Sequence, residues 1–175
     1  MKRLLGSRAL AVLSLVCAPL SAFAGGVPWG EPNNTPERFV VLSSYNNEAV
    51  FDSETGLVWE IDATAAGTNW AGAMPLCYAK GTGGRRGWRP ATVEELASLQ
   101  IPDGSGGFRR PDAPFGRVFT FMWSSTTVAG DTSKAWAWSL PGPVFNSLSI
   151  TAEPKSTCCG TGVWCVRGGQ GLDGQ

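Results

Sequence analysis

Four consecutive hydroxyl side chains follow an apolar pair and a tryptophan in the stretch FMWSSTT, residues 121–127. Serine and threonine become nucleophiles only when a neighbouring general base removes their proton, and that base is most often histidine. The chain contains no histidine, which excludes Ser-His-Asp and Cys-His arrangements and histidine metal ligands. We therefore predict that these hydroxyls satisfy backbone polar groups where a strand ends. We expect no catalytic residue, metal or cofactor.

Arginine side chains are the second group with a recognisable chemistry. Guanidinium groups pair bidentately with sulfate and carboxylate groups, and several of them together can act on one polyanion. Residues 80–117 carry seven bases and four acids, whereas residues 25–79 carry one base and seven acids. The candidate ligand-binding residues are Arg85, Arg86, Arg109, Arg110 and Arg117. The alternative is that these arginines are solvated and neutralise nearby carboxylates.

The first residues and the charge balance limit the location and the partners. Residues 1–24 combine a basic start, a short apolar run and a small-x-small cleavage site, which predicts a signal peptide and an exported protein in the periplasm, at the cell surface or outside the cell. No second apolar segment is long enough to span a membrane. The formal net charge of the chain is zero, so we expect no nucleic-acid partner, which would favour a broadly basic domain.

Four cysteines follow the predicted cleavage site: Cys77, Cys158, Cys159 and Cys165. In an exported protein an even number of cysteines favours disulfides, and four cysteines allow three pairings. A structural zinc site is less consistent with the sequence, because common sites use C-x2-C pairs or histidines. The spacing of the cysteines does not choose among the three pairings.

Two helices and a set of strands must position these residues. Short apolar runs at 39–42, 49–51 and 57–59 are typical of strands and are separated by turn residues. A helix over 70–80 can be capped by Asn69 or Thr68. We expect Pro75 to kink or shorten it.

The second half of the chain has a clearer pattern. Thr92 and Glu95 have the spacing of a capping box, which predicts a second helix over 92–99. The four glycines and three prolines of residues 101–116 predict a long loop. Strands resume at Val118. Strands, two helices, a loop and further strands together predict an α+β domain.

Aromatic residues are predicted to divide between core and surface. The helix over 70–80 has an apolar face formed by Trp70, Met74, Cys77 and Tyr78. Strand or motif positions favour burial of four tryptophans, which are Trp59, Trp88, Trp123 and Trp138. The tryptophans that we expect to be exposed are Trp29, Trp136 and Trp164.

Six segments resemble one known family in both order and spacing. They are FDSETGLVWE (51–60), NWAGAMPLCYAK (69–80), GWRPATVEELASL (87–99), FMWSSTT (121–127), KAWAW (134–138) and VWCVRGG (163–169). Together they resemble the C-terminal domain of the Legionella collagen-like adhesin, a bacterial family related to C-type lectin-like folds. The resemblance covers about residues 38–168, so that residues 25–37 form an extended lead-in and residues 169–175 a flexible tail.

The resemblance implies a fold and a cysteine pairing. The fold is a C-type lectin-like α+β domain with two helices and a small antiparallel sheet, stabilised by a disulfide between Cys77 and Cys165. Cys158 and Cys159 are then left as a vicinal disulfide, as two reduced thiols or as a link to another chain. Arg89, which lies in the shared motif beside Trp88, is expected to be a structural partner rather than a ligand contact.

The resemblance also implies a function. We expect an exported, non-catalytic, lectin-like binding module that recognises a sulfated or otherwise acidic glycan, or a surface protein, in adhesion. The alternative is a structural or assembly component of the bacterial envelope or of a surface appendage, without glycan binding and with an intermolecular disulfide through Cys158 or Cys159. The fold by itself does not select between them.

Overall fold

The computed structural model describes residues 38–102, 104, 107–111, 113–139, 149–158 and 161–168. The predicted signal peptide, lead-in and tail lie outside these residues, as do Trp29 and Cys159. Within the described residues the strands are β1 (Phe39–Val41), β2 (Ala49–Asp52), β3 (Leu57–Glu60), β4 (Thr64–Ala65), β5 (Arg89–Pro90), β6 (Ile101–Pro102), β7 (Phe108–Arg109), β8 (Phe121–Val128), β9 (Asp131–Ser139), β10 (Ser149–Pro154), β11 (Thr161–Val163) and β12 (Cys165–Gly168). The helices are α1 (Trp70–Tyr78) and α2 (Val93–Ser98), and short 3-10 turns occupy Ser43–Tyr45 and Thr82–Gly84.

Two five-stranded sheets form the framework of the domain. The first has the order β1-β2-β3-β12-β5 and is antiparallel throughout, and the second has the order β10-β9-β8-β11-β4. Within the second sheet β8 and β11 run parallel, and its other pairs are antiparallel. Strands β6 and β7 form a separate pair. The segment FMWSSTT is therefore a central strand, because β8 is the middle strand of the second sheet.

The predicted fold class is wrong. The expectation was a C-type lectin-like α+β domain with a small sheet, but strands occupy 42% of the described residues, in three sheets, alongside only two helices. The two-residue strands were missed because they are defined by their hydrogen-bond partners and not by an apolar pattern. The predicted loop at 101–116 also contains such strands, because Ile101 pairs with Arg109.

Trp164 lies at the centre of the larger core, although we expected it to be exposed. It stands between β11 and β12, where the chain crosses from the second sheet to the first, and its relative exposure is 0%. Its ring centroid is 5.5 Å from that of Trp59, 5.1 Å from that of Phe115 and 5.9 Å from that of Trp138. Its indole N–H donates to the Glu60 carbonyl at 2.8 Å. The crossover turns this side chain into the space between the sheets.

The other tryptophans follow the prediction more closely. The four that were predicted to be buried are each at most 1% exposed: Trp59, Trp88, Trp123 and Trp138. Trp136 is half-buried. On α1, Cys77 is buried as expected, but Tyr78 is 64% exposed and Ala73 is buried instead. The apolar face of α1 is therefore narrower than the sequence pattern indicates.

Both helices begin where their capping residues predict. The Asn69 side chain accepts the Gly72 N–H at 3.1 Å, and α1 ends two residues before the predicted boundary. At α2 the capping box is complete: the Glu95 N–H donates to Thr92 Oγ1 at 3.2 Å and the Thr92 N–H donates to Glu95 Oε2 at 2.8 Å. Such a reciprocal pair satisfies two of the amide donors that a helix start leaves open.

The disulfide between Cys77 and Cys165 is confirmed. It joins α1 to β12, with the Cα atoms 5.4 Å apart and a sequence separation of 88 residues. Both cysteines are fully buried. A chain-entropy estimate for so long a loop gives about 4–5 kcal/mol of stabilisation.

The hydroxyl cluster of FMWSSTT forms a β-bulge that fastens β8 to its neighbours. Between Trp123 and Thr127 three residues of β8 face a single residue of β9, the arrangement that bends a strand. The Ser124 hydroxyl donates to the Trp136 carbonyl at 2.7 Å, the Ser125 hydroxyl donates to the Ala91 carbonyl at 3.2 Å, and Thr126 Oγ1 accepts the Val93 N–H at 3.0 Å. The prediction that these hydroxyls satisfy backbone groups is confirmed for Ser124, Ser125 and Thr126, but they lie at a bulge within β8 and not at its end. Thr127 Oγ1 instead accepts from Lys155 Nζ at 2.9 Å. The bulge ties the sheet to the start of α2.

Candidate functional site

The five candidate arginines are attached to three different parts of the fold. Arg85 and Arg86 are exposed on the turn of residues 81–87, between α1 and β5. Arg109 belongs to β7, and Arg110 follows it. Arg117 is exposed, and its backbone is held at the β3–β4 connection, where its N–H donates to Asp62 and its carbonyl accepts the Ala63 N–H at 2.8 Å.

The turn at 81–87 is anchored by carboxylates and by a close backbone approach. The Gly83 N–H donates to Glu48 Oε2 at 2.6 Å. Gly83 has φ +63°, and a Cβ there would lie 2.6 Å from the Cβ of Tyr45, so any other residue would clash. At the start of the turn, Glu60 accepts the Thr82 hydroxyl and forms an ion pair with Lys80 at 3.1 Å.

The turn also closes over a buried tryptophan. The Trp88 indole N–H donates to the Thr82 carbonyl at 3.2 Å and to the Arg85 carbonyl at 3.1 Å. Trp88 is 1% exposed, so these bonds are made at the edge of the core. Hydrogen bonds on the core side thus hold the backbone of Arg85 and Arg86, which would already be ordered before a ligand binds. Order that exists before binding lowers the entropy cost of binding.

A third arginine, which the sequence interpretation missed, completes the group. Arg167 on β12 donates from Nε to the Arg86 carbonyl at 2.8 Å and from Nη1 to the Tyr45 hydroxyl at 2.8 Å. The guanidinium carbon of Arg85 lies 5.5 Å from the centroid of the same Tyr45 ring, within the range of a cation–π contact. We call Arg85, Arg86 and Arg167 the arginine cluster.

A signal for Arg167 was present in the sequence. It lies two residues after Cys165 and so points to the same face of β12. The turn at 81–87 begins shortly after Cys77, the other half of the disulfide. The bridge therefore brings the turn and the end of β12 together, a consequence that could have been drawn from the implied pairing.

In the part of the chain that the structure describes, the cluster lacks the carboxylate ion pairs that Arg38 and Arg89 have. Among the described residues, neither Arg85, Arg86 nor Arg167 forms an ion pair with a carboxylate. Of the two acids that contact the turn, Glu60 is ion-paired with Lys80, whereas Glu48 accepts the Gly83 N–H, a bond that does not neutralise its charge. The Arg86 side chain itself donates from Nη1 to the Ala79 carbonyl at 3.5 Å, so Arg167 meets Arg86 through its backbone carbonyl.

The remaining candidate residues stay predictions. Cys158 is exposed, and its relation to Cys159 falls outside the described residues. Arg109 and Arg110 are half-buried beside each other. The described part of the chain has no group of three His, Cys, Asp or Glu side chains arranged to hold a metal ion. No helix among the described residues has the length and apolar character of a membrane span.

These observations define a disulfide-linked, mostly β domain in which an ordered turn and β12 present a cluster of arginines without an ion-paired carboxylate among the described residues. The family model for the Lcl C-terminal domain matches residues 48–167. The chain therefore belongs to the Lcl C-terminal domain family, which makes it an adhesin-related module. No curated protein matches the chain, and no solved structure matches it either.

Proposed function

We propose that this protein is an exported binding module that attaches to a sulfated or otherwise acidic glycan through the arginine cluster. The observation that carries the proposal is that Arg85, Arg86 and Arg167 meet at one ordered turn without an ion-paired carboxylate among the described residues. Family membership supports a role in attachment, and the predicted signal peptide and the buried disulfide support export.

Sulfate and carboxylate groups suit these side chains. An arginine presents a planar fork of donors that matches the oxygens of either group. Arg85 and Arg86 are exposed, and their backbone is held by Trp88, Glu48 and Arg167, so binding would order little beyond the guanidinium groups themselves. A repeating anionic polymer would gain further from several weak contacts made at once.

The test is a salt titration of binding to an immobilised sulfated polysaccharide. We expect binding at low salt that weakens steeply as salt rises, because counterions compete for each charge contact. The variant Arg85→Ala/Arg86→Ala should weaken binding about tenfold or more, if each lost charged hydrogen bond contributes at least about 1 kcal/mol.

The matched control removes two charges elsewhere. Arg109→Ala/Arg110→Ala changes the net charge by the same amount but leaves the turn at 81–87 intact. Equal losses in the two double variants would mean that binding follows net charge or also uses Arg109 and Arg110, which remain candidate contacts, and the cluster would then lose its assigned role as the binding site. Absence of binding by the wild-type protein at low salt would reject glycan binding and leave the structural or assembly component as the better hypothesis. A disulfide-linked dimer on a non-reducing gel would support that hypothesis.

A further inference from the structure

We propose that Arg167 is the positioning residue of the arginine cluster, and that Tyr45 transmits its effect to Arg85. One hydrogen bond of Arg167 holds the backbone of the turn at Arg86, and the other holds the tyrosine ring beside which Arg85 lies. Its use in ligand binding rests on the proposed function above, whereas its effect on the turn can be measured without a ligand.

The position of Arg167 in the sheet makes it a firm support. Strand β12 lies between β3 and β5, and Arg167 pairs with Val58 of β3. Cys165, two residues earlier, is fixed to α1 by the disulfide. A side chain that starts from an interior strand is held more precisely than one on a loop. The exposed turn thus takes its position from the best-anchored part of the first sheet.

The two bonds use the geometry of arginine and not only its charge. Nε and Nη1 donate in different directions, each at 2.8 Å, to two acceptors on separate segments. A lysine ammonium is a point charge on a flexible chain and does not reproduce this fork. Gly87, which follows Arg86 with φ +88°, lies beside the guanidinium, because a Cβ there would be in ordinary van der Waals contact with Arg167 Nε at 3.5 Å.

Tyr45 links the support to the second arginine. Its hydroxyl accepts from Arg167, and its ring packs edge-on against Trp88, with centroids 6.3 Å apart. The same residue is in close contact with Gly83. Tyr45 is therefore in contact with Arg167, Trp88 and Gly83, and its ring also lies beneath the Arg85 guanidinium.

The experiment compares Arg167→Lys with Tyr45→Phe. The first variant keeps the positive charge and loses the fork, and the second keeps the ring and loses only the acceptor hydroxyl. Each should weaken binding to the sulfated polysaccharide by about threefold to tenfold, the range expected for one hydrogen bond. The affinity loss of the double variant should be smaller than the product of the two single losses, because both changes remove the hydrogen bond between Arg167 and Tyr45.

The control is Arg117→Lys, a substitution of the same type at an exposed arginine outside the cluster. Arg117 remains a candidate contact of the polymer, and the lysine keeps its charge, so this variant should lose less affinity than Arg167→Lys. Wild-type affinity for Arg167→Lys would overturn the proposal, because charge alone would then suffice. Losses that multiply in the double variant would overturn the coupling through Tyr45.

Hydrogen exchange of the unliganded protein gives an independent readout. Amides of residues 84–87 should exchange faster in Arg167→Lys than in Arg117→Lys, while the core of the second sheet stays protected in both. Unchanged exchange in the turn would overturn the positioning role. If the wild type binds no sulfated polymer but the turn still loosens in Arg167→Lys, the proposed function fails while the positioning role stands.

Discussion

Arg38 and Arg89 lie beside carboxylates, whereas Arg85 and Arg86 stand exposed on a turn without such partners among the described residues. Arg38 is 1% exposed and forms two hydrogen bonds of 2.8 Å with Asp52, which is itself 0% exposed. Composition treats these four residues as equal. Their surroundings give two of them a structural role and leave two available to an external anion.

The paired arginines also explain two of the sequence motifs. In DSETG, Asp52 accepts from Arg38 and from the Thr55 hydroxyl, which lies 2.8 Å away, so the motif closes a turn around a buried charge pair. In the second motif Arg89 forms two hydrogen bonds with the capping residue Glu95, at 2.8 Å and 2.6 Å. The prediction that Arg89 is a structural partner is confirmed.

The most buried pair should show the largest effect when it is broken. Asp52→Ala leaves the Arg38 guanidinium buried without its main partner, and we expect the free energy of unfolding to fall by about 3–5 kcal/mol. Urea denaturation measures this change. Glu54→Ala is the control, because Glu54 also contacts Arg38, at 3.2 Å, but is 32% exposed. It should cost less than about 1 kcal/mol. Equal losses in both variants would contradict the importance of burial.

The half-buried pair should follow at a lower cost. Glu95→Gln keeps an acceptor for the Thr92 N–H but removes the charge opposite Arg89, whose side chain is 18% exposed. We expect a loss of about 1–3 kcal/mol in the same denaturation experiment. The neighbouring exposed residue provides the control: Glu94→Gln should stay within about 0.5 kcal/mol of the wild type. A wild-type stability for Glu95→Gln would place Arg89 among the dispensable surface charges.

The exposed arginines should matter little for stability. Arg85→Ala/Arg86→Ala removes two like charges that lack described carboxylate partners, so the free energy of unfolding should change by less than about 0.5 kcal/mol per residue. A loss as large as that of Glu95→Gln would mean that the two side chains support the fold. The contrast between structural arginines and exposed arginines would then not hold.

The smallest effect is expected at Asp131, the first residue of β9. Hydrogen bonds from Ser133 and from Lys134 lower the pKa of the Asp131 carboxyl from its ordinary value of 3.8. A lowered pKa in the folded protein means that the added stability is present above pH 3.8 and is lost as the pH falls through the folded-state pKa. Asp131→Asn should therefore be less stable than the wild type at neutral pH, and the difference in melting temperature between the two proteins should shrink as the pH is lowered. Thermal unfolding at several pH values measures this difference. A difference in melting temperature that grows as the pH falls would contradict this prediction.

Local signals predicted the parts of the fold that depend on neighbouring residues. Asn69, Thr92 and Glu95 define helix starts because a cap needs only amides within the same turn. The bulge in β8 and the burial of Trp164 depend on partners far along the chain, such as Ala91 and Glu60. No periodicity within a short window carries that information.

The candidate site shows the same division. The sequence indicated Arg85 and Arg86 as candidates by the charge of their segment, but it treated Arg109, Arg110 and Arg117 in the same way. The structure assigns the two groups to different elements and adds Arg167 to the first. The family resemblance supplied the bridge between Cys77 and Cys165, and the side-by-side placement of the turn and β12 is its direct result.

By itself the sequence determined the absence of histidine chemistry, the capping residues of both helices, the burial of four tryptophans but not of Trp164, and family membership through the order of its motifs. Tertiary structure alone decided the mostly β architecture, the role of each arginine and the meeting of Arg85, Arg86 and Arg167. The physical reason is range. A cap or a turn is satisfied within a few residues, whereas the neutralisation of a charge and the pairing of a two-residue strand depend on groups that only the folded chain brings together.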